Sequence, residues 1–159
     1  MPKAKADAVV PDRPFRFLPT RLILWLALLS VIPAFDAAAA DLRVVVDALR
    51  SVKGDVRFAL YDRAEAFPDD DGKLAGQTVA VIGNQVEARF AGLNPGDYAV
   101  AVFHDENGNG EFDQGLFGIP LEGYGFSNGA RAFLGPPDFA EAKVRLGTKG
   151  AAITILIDY

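Results

Sequence analysis

The chain has 159 residues, no cysteine and a formal net charge of −5. From Asp41 onward, 11 Lys and Arg residues stand against 18 Asp and Glu, a net charge of −7. This acidity argues against nucleic acid as a partner. The absence of cysteine excludes disulfides, so apolar burial must stabilise the fold, and about 120 residues suffice for one core.

The first 40 residues have the pattern of a secretory signal peptide. Five Lys and Arg residues precede an apolar run over residues 22–32, and Ala38 and Ala40 supply the small residues of an A-x-A cleavage site. Residues 1–40 are therefore a predicted signal peptide, and the new N-terminus is expected at or near Asp41. The protein is expected to be periplasmic or secreted, with no membrane span after cleavage.

The alternative for this segment is an uncleaved membrane anchor. A spanning helix needs about 20 apolar residues, and Pro33 and Asp36 interrupt this run early. No cysteine follows the run, so a lipid-anchored N-terminus is excluded.

The first predicted strands follow directly. Residues 42–49 and 56–61 alternate apolar and polar side chains and are rich in β-branched residues, as half-buried strands are. Turn residues at 51–55 separate them, so we expect a hairpin. Residues 62–76 lack periodicity and predict a loop with room for one helical turn.

A second hairpin is predicted over residues 77–82 and 85–90. The dipeptide Gly83-Asn84 between them supplies the positive φ angles of tight turns. Residues 92–98 then read GLNPGDY, a Pro-Gly turn that opens a strand over residues 98–103. This turn is either an ordinary one or a tyrosine corner of the kind found in β-sandwiches.

Residues 115–138 are dominated by Gly, Pro and aromatic residues and predict a long ordered loop. Strands over residues 142–146 and 151–157, joined by a Gly147–Gly150 turn, complete the chain. No amphipathic helix of normal length is expected after Asp41. The prediction for residues 41–159 is one all-β domain, an antiparallel two-sheet sandwich of about seven strands.

The order of three motifs resembles that of a bacterial family, domain of unknown function 2141 (DUF2141). These motifs read HDENGNGEFD, GIPLEGYGFSN and GPPDFAEA, and the resemblance covers residues 42–159. It implies export and a prealbumin-like or carboxypeptidase-regulatory-like β-sandwich, and it supplies no catalytic residues. The phrase LNPGDYAV is also similar to carboxypeptidase-regulatory-like and Cna-B-like modules of adhesion or assembly, over some ten residues.

The strongest chemical motif is an acidic and amide-rich stretch after the predicted strand at 98–103. Oxygen-bearing side chains alternate, with a glycine at position 110, as in the D-x-[DN]-x-[DN]-G loop of calcium sites. Ca²⁺ takes 6–8 oxygens, and alternate side chains can converge on it when the loop turns sharply at the glycine. The predicted ligands of a structural Ca²⁺ are Asp105, Asn107, Asn109, the backbone carbonyl of Glu111, and Asp113.

The motif departs from the EF-hand in one place. Position 12 of the loop, usually a bidentate Glu, is Leu116, and no helices flank the loop. The missing ligand must come from elsewhere, with Glu122 the nearest later candidate and the cluster Asp69–Asp71 another. The alternative is a solvated Asn/Gly turn without metal, and Asp69–Asp71 is also explained as a solvated acidic turn.

His104 and the aromatic segment leave further functions open. His104 is the single histidine, so zinc is disfavoured. It either anchors the loop by hydrogen bonds or acts as the general base of a small hydrolase with Asp105 or Glu122. Such a hydrolase also needs a nucleophile, and the sequence does not place a candidate such as Ser127 beside His104. Tyr124 and Phe126 either belong to the core or stack on a sugar or peptide. The leading hypothesis is a non-enzymatic exported domain with a calcium loop, and candidate partners are a cell-envelope protein or a glycan.

Overall fold

The computed structural model describes residues 39–159, so the predicted signal peptide lies outside the described residues apart from its last two positions. The described part is strand-dominated, as predicted. It contains one four-residue helix, α1 (Phe139–Ala142), and short 3-10 turns, two of them in the predicted loop at 62–76. The strands are β1 (Ala40–Asp47), β2 (Asp55–Tyr61), β3 (Ala75–Ala80), β4 (Val86–Leu93), β5 (Gly96–Asp105), β6 (Gly123–Phe126), β7 (Val144–Leu146) and β8 (Ala151–Leu156).

These strands form two sheets. The first has the order β4-β1-β8. The second has the order β3-β2-β5-β6, and the short β7 pairs with the beginning of β5. No helix of the described residues is long and apolar enough to cross a bilayer.

The core follows the alternation that the sequence shows. Every second residue of β1, β2 and β4 is buried, and these side chains lie in one cluster with residues of β5, β7 and β8. Both sheets therefore contribute to the same core. Burying a large aliphatic or aromatic side chain gains about 1.5–3 kcal/mol, which makes this cluster the main source of stability in a chain without disulfides.

Both predicted hairpins are wrong. β1 pairs with β4 and β8, whereas β2 pairs with β3 and β5, so the connection at 48–54 passes from one sheet to the other. The connection at 81–85, between β3 and β4, does the same. An alternating pattern specifies which face of a strand is buried, but it does not specify which strand hydrogen-bonds along each edge, so the pattern does not choose the partner.

The fully antiparallel arrangement is also wrong. β1 and β8 run parallel, with Leu42 opposite Ala151 and Asp47 opposite Leu156. All other strand pairs are antiparallel. A parallel pair needs a long crossover, and here the chain from β2 to β7 supplies it.

The Gly/aromatic segment contains a strand that the sequence did not predict. β6 pairs with the end of β5, and Tyr124 forms a further bridge with Asp158. Its glycines alternate with aromatic residues and hide the strand pattern. Gly125 is required by a close approach, because a Cβ there would lie 2.6 Å from the Ile155 side chain.

The turn before β5 has the hydrogen bond of a tyrosine corner. The Tyr98 hydroxyl donates to the carbonyl oxygen of Asn94 at 2.8 Å, four residues upstream. Tyr98 is buried, so this bond fixes the entry of the chain into β5, the strand that leads to the acidic loop.

Candidate cation site at the Asp105–Asp113 loop

Asp105, the last residue of β5, organises the loop that follows it. Its side chain is fully buried. Oδ1 accepts the backbone N–H groups of Gly108 (2.7 Å) and Asn109 (3.1 Å), and Oδ2 accepts that of Gly110 (2.8 Å) and the Nε–H of Arg57 (2.9 Å). Burial alone would raise the pKa of Asp105, but these donors outweigh it and the pKa lies below its ordinary value.

Gly110 needs the left-handed backbone that its motif position predicts. Its φ is +87°, and a Cβ would lie 3.2 Å from Nη2 of Arg57. Arg57 reaches the loop from β2, next to Asp55 on the same strand. The guanidinium therefore packs under the loop and balances the charge of Asp105.

Three of the predicted ligand residues meet, but Asn107 and Asn109 present their amide nitrogens to Asp113 and not the oxygens that a cation would need. Nδ2 of Asn107 donates to Asp113 at 2.6 Å, and Nδ2 of Asn109 lies 3.2 Å from both Asp113 oxygens. The amide oxygens face the backbone: Oδ1 of Asn107 accepts from the N–H of Asn109, and Oδ1 of Asn109 from that of Glu111. The Glu111 side chain is exposed.

Glu122 stands directly beside this group. It is only 5% exposed, and its Oε2 accepts the backbone N–H of Asp113 at 3.2 Å. Its Oε1 is buried and accepts no hydrogen bond of ordinary length and angle, although the backbone N–H of Glu106 lies close enough to the carboxyl to oppose the rise of its pKa. Burial first, and then the negative charges of Asp105 and Asp113, raise the pKa of Glu122. The site thus contains a buried carboxylate oxygen with unused coordinating capacity.

A shallow depression exposes this edge of the loop. Its lining comprises Arg50, Lys53, Glu106, Asn107, Asp113, Leu121 and Glu122. Arg50 and Glu106 form an ion pair, and Ser51 donates to Glu106 at 2.6 Å.

His104 is an internal anchor. The ring is fully buried, and Nε2 lies 2.8 Å from the carbonyl oxygen of Lys53. Because a carbonyl can only accept, Nε2 donates to it, and Nδ1 shares a hydrogen bond of 2.7 Å with the Tyr159 hydroxyl. Both nitrogens are engaged, so the geometry favours the anchoring interpretation over that of a general base.

The other candidates lie elsewhere. Ser127 is buried, accepts from the N–H of Val100 and donates to the carbonyl of Ala142. Val100 is four residues before His104 on β5, about 13 Å at the rise of an extended strand. Ser127, which is hydrogen-bonded to Val100, is therefore not next to His104.

The Asp69–Asp71 cluster lies at a 3-10 turn, where Asp70 pairs with Lys73. Within residues 39–159, no three side chains of His, Cys, Asp or Glu are placed to hold a metal by themselves.

Tyr124 and Phe126 lie in a row of aromatic side chains beside β6. Tyr124 contacts Phe112 and Phe126, and Phe126 contacts Phe67, all edge to face with centroids 5.9–6.0 Å apart. Both rings are half-buried. Edge-to-face packing is typical of a small apolar cluster, which favours the packing interpretation over a stacking platform for a sugar.

A comparison with protein families gives one match. Residues 44–154 match the family described as an uncharacterized protein conserved in bacteria, DUF2141. The chain belongs to the DUF2141 family. The predicted membership is thereby confirmed. No curated protein and no solved structure matches this chain.

The DUF2141 region includes every residue of the candidate site. It begins within β1 and ends within β8, and it contains the loop, Glu122 and Arg57, whereas Tyr159 lies beyond it. Sequence reasoning missed Arg57, because its place beside Asp105 depends on the pairing of β2 with β5. That pairing leaves no local signal in the sequence.

Proposed function

We propose that this DUF2141 protein is an exported, non-enzymatic β-sandwich domain with a structural Ca²⁺ bound at the Asp105–Asp113 loop. In this proposal residues 1–40 are a cleaved signal peptide and residues 41–159 act in the periplasm or outside the cell. The sandwich is supported by the single buried cluster to which both sheets contribute, and its expected relatives are prealbumin-like and carboxypeptidase-regulatory-like domains.

The observation that carries the calcium proposal is the unpartnered Oε1 of Glu122. A buried polar atom without a partner costs about 1–3 kcal/mol, and native proteins retain few of them. Here the atom is a carboxylate oxygen beside a second carboxylate, Asp113, and two amide side chains. Oxygen ligands of this kind suit a hard cation such as Ca²⁺, so the residues present fit the ion.

The proposed ligands are the five of the motif together with Glu122. Asn107 and Asn109 would turn their amide oxygens toward Asp113, in place of the nitrogens that face it in the structure. Asp105 already accepts four donors, which use the acceptor capacity of a carboxylate. Its larger contribution would therefore be to shape the loop around the site.

The expected affinity is weak. The cage has few formal charges and draws Glu122 from outside the loop, so we place Kd in the range of extracellular modules, of order 10⁻⁴–10⁻³ M. An ion that binds only the folded state stabilises it by RT ln(1 + [L]/Kd), or about 1.4 kcal/mol at roughly ten times Kd. Since Asp113 and Glu122 precede and follow residues 114–121, the ion would also order that segment.

Thermal unfolding tests this proposal. The melting temperature should rise between EDTA and millimolar Ca²⁺, and Mg²⁺ at the same concentration should raise it less because Mg²⁺ demands a stricter octahedral geometry. Asp113→Asn should abolish the calcium effect, and Asp71→Asn, in the other acidic cluster, should retain it. Equal melting temperatures of the wild type in EDTA and in Ca²⁺ would refute the calcium site.

A further inference from the structure

The segment between Asp113 and Glu122 carries an unusual apolar surface. Residues 114–121, here named the apolar tip, contain no charged residue and form a short hairpin, with the N–H of Gly115 bonded to the carbonyl of Ile119. Leu116 is 82% exposed and Phe117 is 99% exposed. Ile119 and Leu121 are each more than half exposed. Four large apolar side chains therefore face solvent on eight residues.

The backbone at this tip is strained. Phe117 has φ +62°, in the left-handed region that non-glycine residues rarely adopt. Strain of this kind persists where the surrounding structure imposes it and is concentrated at functional sites. Phe117 gains no burial in return, because almost its whole surface faces solvent. The conformation holds the ring in solvent, and exposed apolar surface of this kind is typical of an interaction site.

The shape of the tip favours a lipid surface. The exposed side chains at the end of this hairpin project outward and do not line a groove. A protein partner would need a pocket that matches them. An acyl layer, in contrast, can surround all four side chains. Lys53 lines the depression together with Leu121 and has no ion pair within the described residues. Val52, its neighbour in sequence, is a further exposed apolar side chain.

The base of the tip is acidic. Glu111, Asp113 and Glu122 make no ion pair with any residue of the described part, and they would repel anionic headgroups. A bound Ca²⁺ would neutralise this charge and leave Lys53 to attract the headgroups. We infer that the apolar tip inserts into the surface of an anionic phospholipid bilayer when Ca²⁺ occupies the adjacent loop; this inference rests on the proposed calcium site.

A second pair of exposed residues offers a matched control. Phe133 and Leu134 are 87% and 98% exposed, and Leu134 also has a positive φ of +55°. Their neighbour Arg131 is basic, and no acidic loop of the Asp105–Asp113 type adjoins them in sequence. If apolar exposure alone produced lipid binding, both pairs would bind, with or without calcium.

The test uses tryptophan fluorescence of the full chain. Trp25 is the single tryptophan, so Trp25→Phe leaves a silent background into which Phe117→Trp or Phe133→Trp is introduced. Vesicles contain phosphatidylglycerol and phosphatidylcholine, with and without brominated acyl chains. With Ca²⁺ present, emission from position 117 should move to shorter wavelength and be quenched by the bromolipid. Position 133 should show no change that depends on Ca²⁺, and EDTA should reverse the effect at position 117.

A second measurement gives the magnitude. Leu116→Ser with Phe117→Ser should reduce the calcium-dependent vesicle partitioning of the chain by more than about tenfold, because two exposed large apolar side chains no longer enter an apolar phase. Phe133→Ser with Leu134→Ser should leave it unchanged. The N-terminal apolar run is present in every variant and does not contribute to the difference.

The outcomes separate the two proposals. If Ca²⁺ raises the melting temperature but position 117 shows no lipid quenching, the membrane inference is wrong and the calcium site stands. If Ca²⁺ has no effect on melting, the calcium site fails and calcium-dependent insertion fails with it. A fluorescence shift at position 117 that needs no vesicles and grows with protein concentration would mean self-association and would overturn the lipid assignment.

Discussion

Glu122→Gln should have opposite consequences without and with calcium. In EDTA the substitution removes an ionised carboxylate that is 5% exposed and has one unpartnered oxygen. An unsatisfied buried group costs about 1–3 kcal/mol. The amide oxygen retains the bond from the N–H of Asp113, and the buried NH2 group has no partner, but an uncharged group costs less to bury than a carboxylate. We therefore expect a gain of about 1 kcal/mol in the free energy of unfolding.

Calcium should remove this advantage. If loss of the charged ligand weakens binding about tenfold, a Ca²⁺ concentration near ten times the wild-type Kd stabilises the wild type by about 1.4 kcal/mol and the variant by about 0.4 kcal/mol. The two proteins should then be almost equally stable. Urea unfolding followed by circular dichroism, in EDTA and in Ca²⁺, measures both differences.

The same substitution has a predicted pH dependence in EDTA. The pKa of native Glu122 is raised above its ordinary value of 4.5, mainly by burial. The ionised group therefore destabilises the wild type above its native pKa, and this penalty disappears as the pH falls through that pKa and below 4.5. The advantage of Glu122→Gln should be full at neutral pH and absent in acid.

Glu111→Gln is the control, since the Glu111 side chain is exposed, and it should change stability by less than about 0.5 kcal/mol. A Glu122→Gln protein that is less stable than the wild type in EDTA would refute the reasoning, because Oε1 would then have a favourable partner.

Three further substitutions test the geometry of this region. Asp105→Asn in EDTA should lower the free energy of unfolding by about 3 kcal/mol, because an amide nitrogen replaces an oxygen that accepts from Gly110 and Arg57. A decrease below about 0.5 kcal/mol in urea unfolding would contradict this. His104→Leu should lower the free energy of unfolding by about 2 kcal/mol, since the Tyr159 hydroxyl and the Lys53 carbonyl lose their hydrogen-bond partner. Thermal unfolding measures this effect, and an unchanged melting temperature would contradict the anchoring role. Phe117→Gly should leave stability unchanged or raise it by about 1 kcal/mol through relief of the positive φ, and a clear destabilisation in urea would show that the ring is packed.

Much of the fold could be predicted from local patterns. The buried faces of β1, β2 and β4 follow from alternation, and the Pro-Gly turn before Tyr98 correctly marks the start of β5. The pairing of strands could not be predicted, because alternation specifies a buried face and not a neighbour. The parallel pairing of β1 with β8 joins residues more than 100 positions apart, and no short-range signal encodes it.

The candidate site divides in the same way. The spacing of Asp105, Asn107, Asn109 and Asp113 predicted that their oxygens converge on one centre. The structure brings the last three within hydrogen-bond distance of one another, with the amide nitrogens of both asparagines toward Asp113. The full engagement of Asp105 could not be predicted, because Arg57 arrives from another strand. Glu122 was one of two candidates for the missing ligand, and its proximity depends on how residues 114–121 fold back.

The most direct test of the calcium site is a calcium titration of the ¹⁵N-labelled protein followed by amide NMR. Residues 105–113 and Glu122 should show the largest shift changes, saturating at a concentration of order 10⁻³ M. The absence of any change at about ten times that concentration, or changes confined to Asp69–Asp71, would contradict a calcium site at this loop.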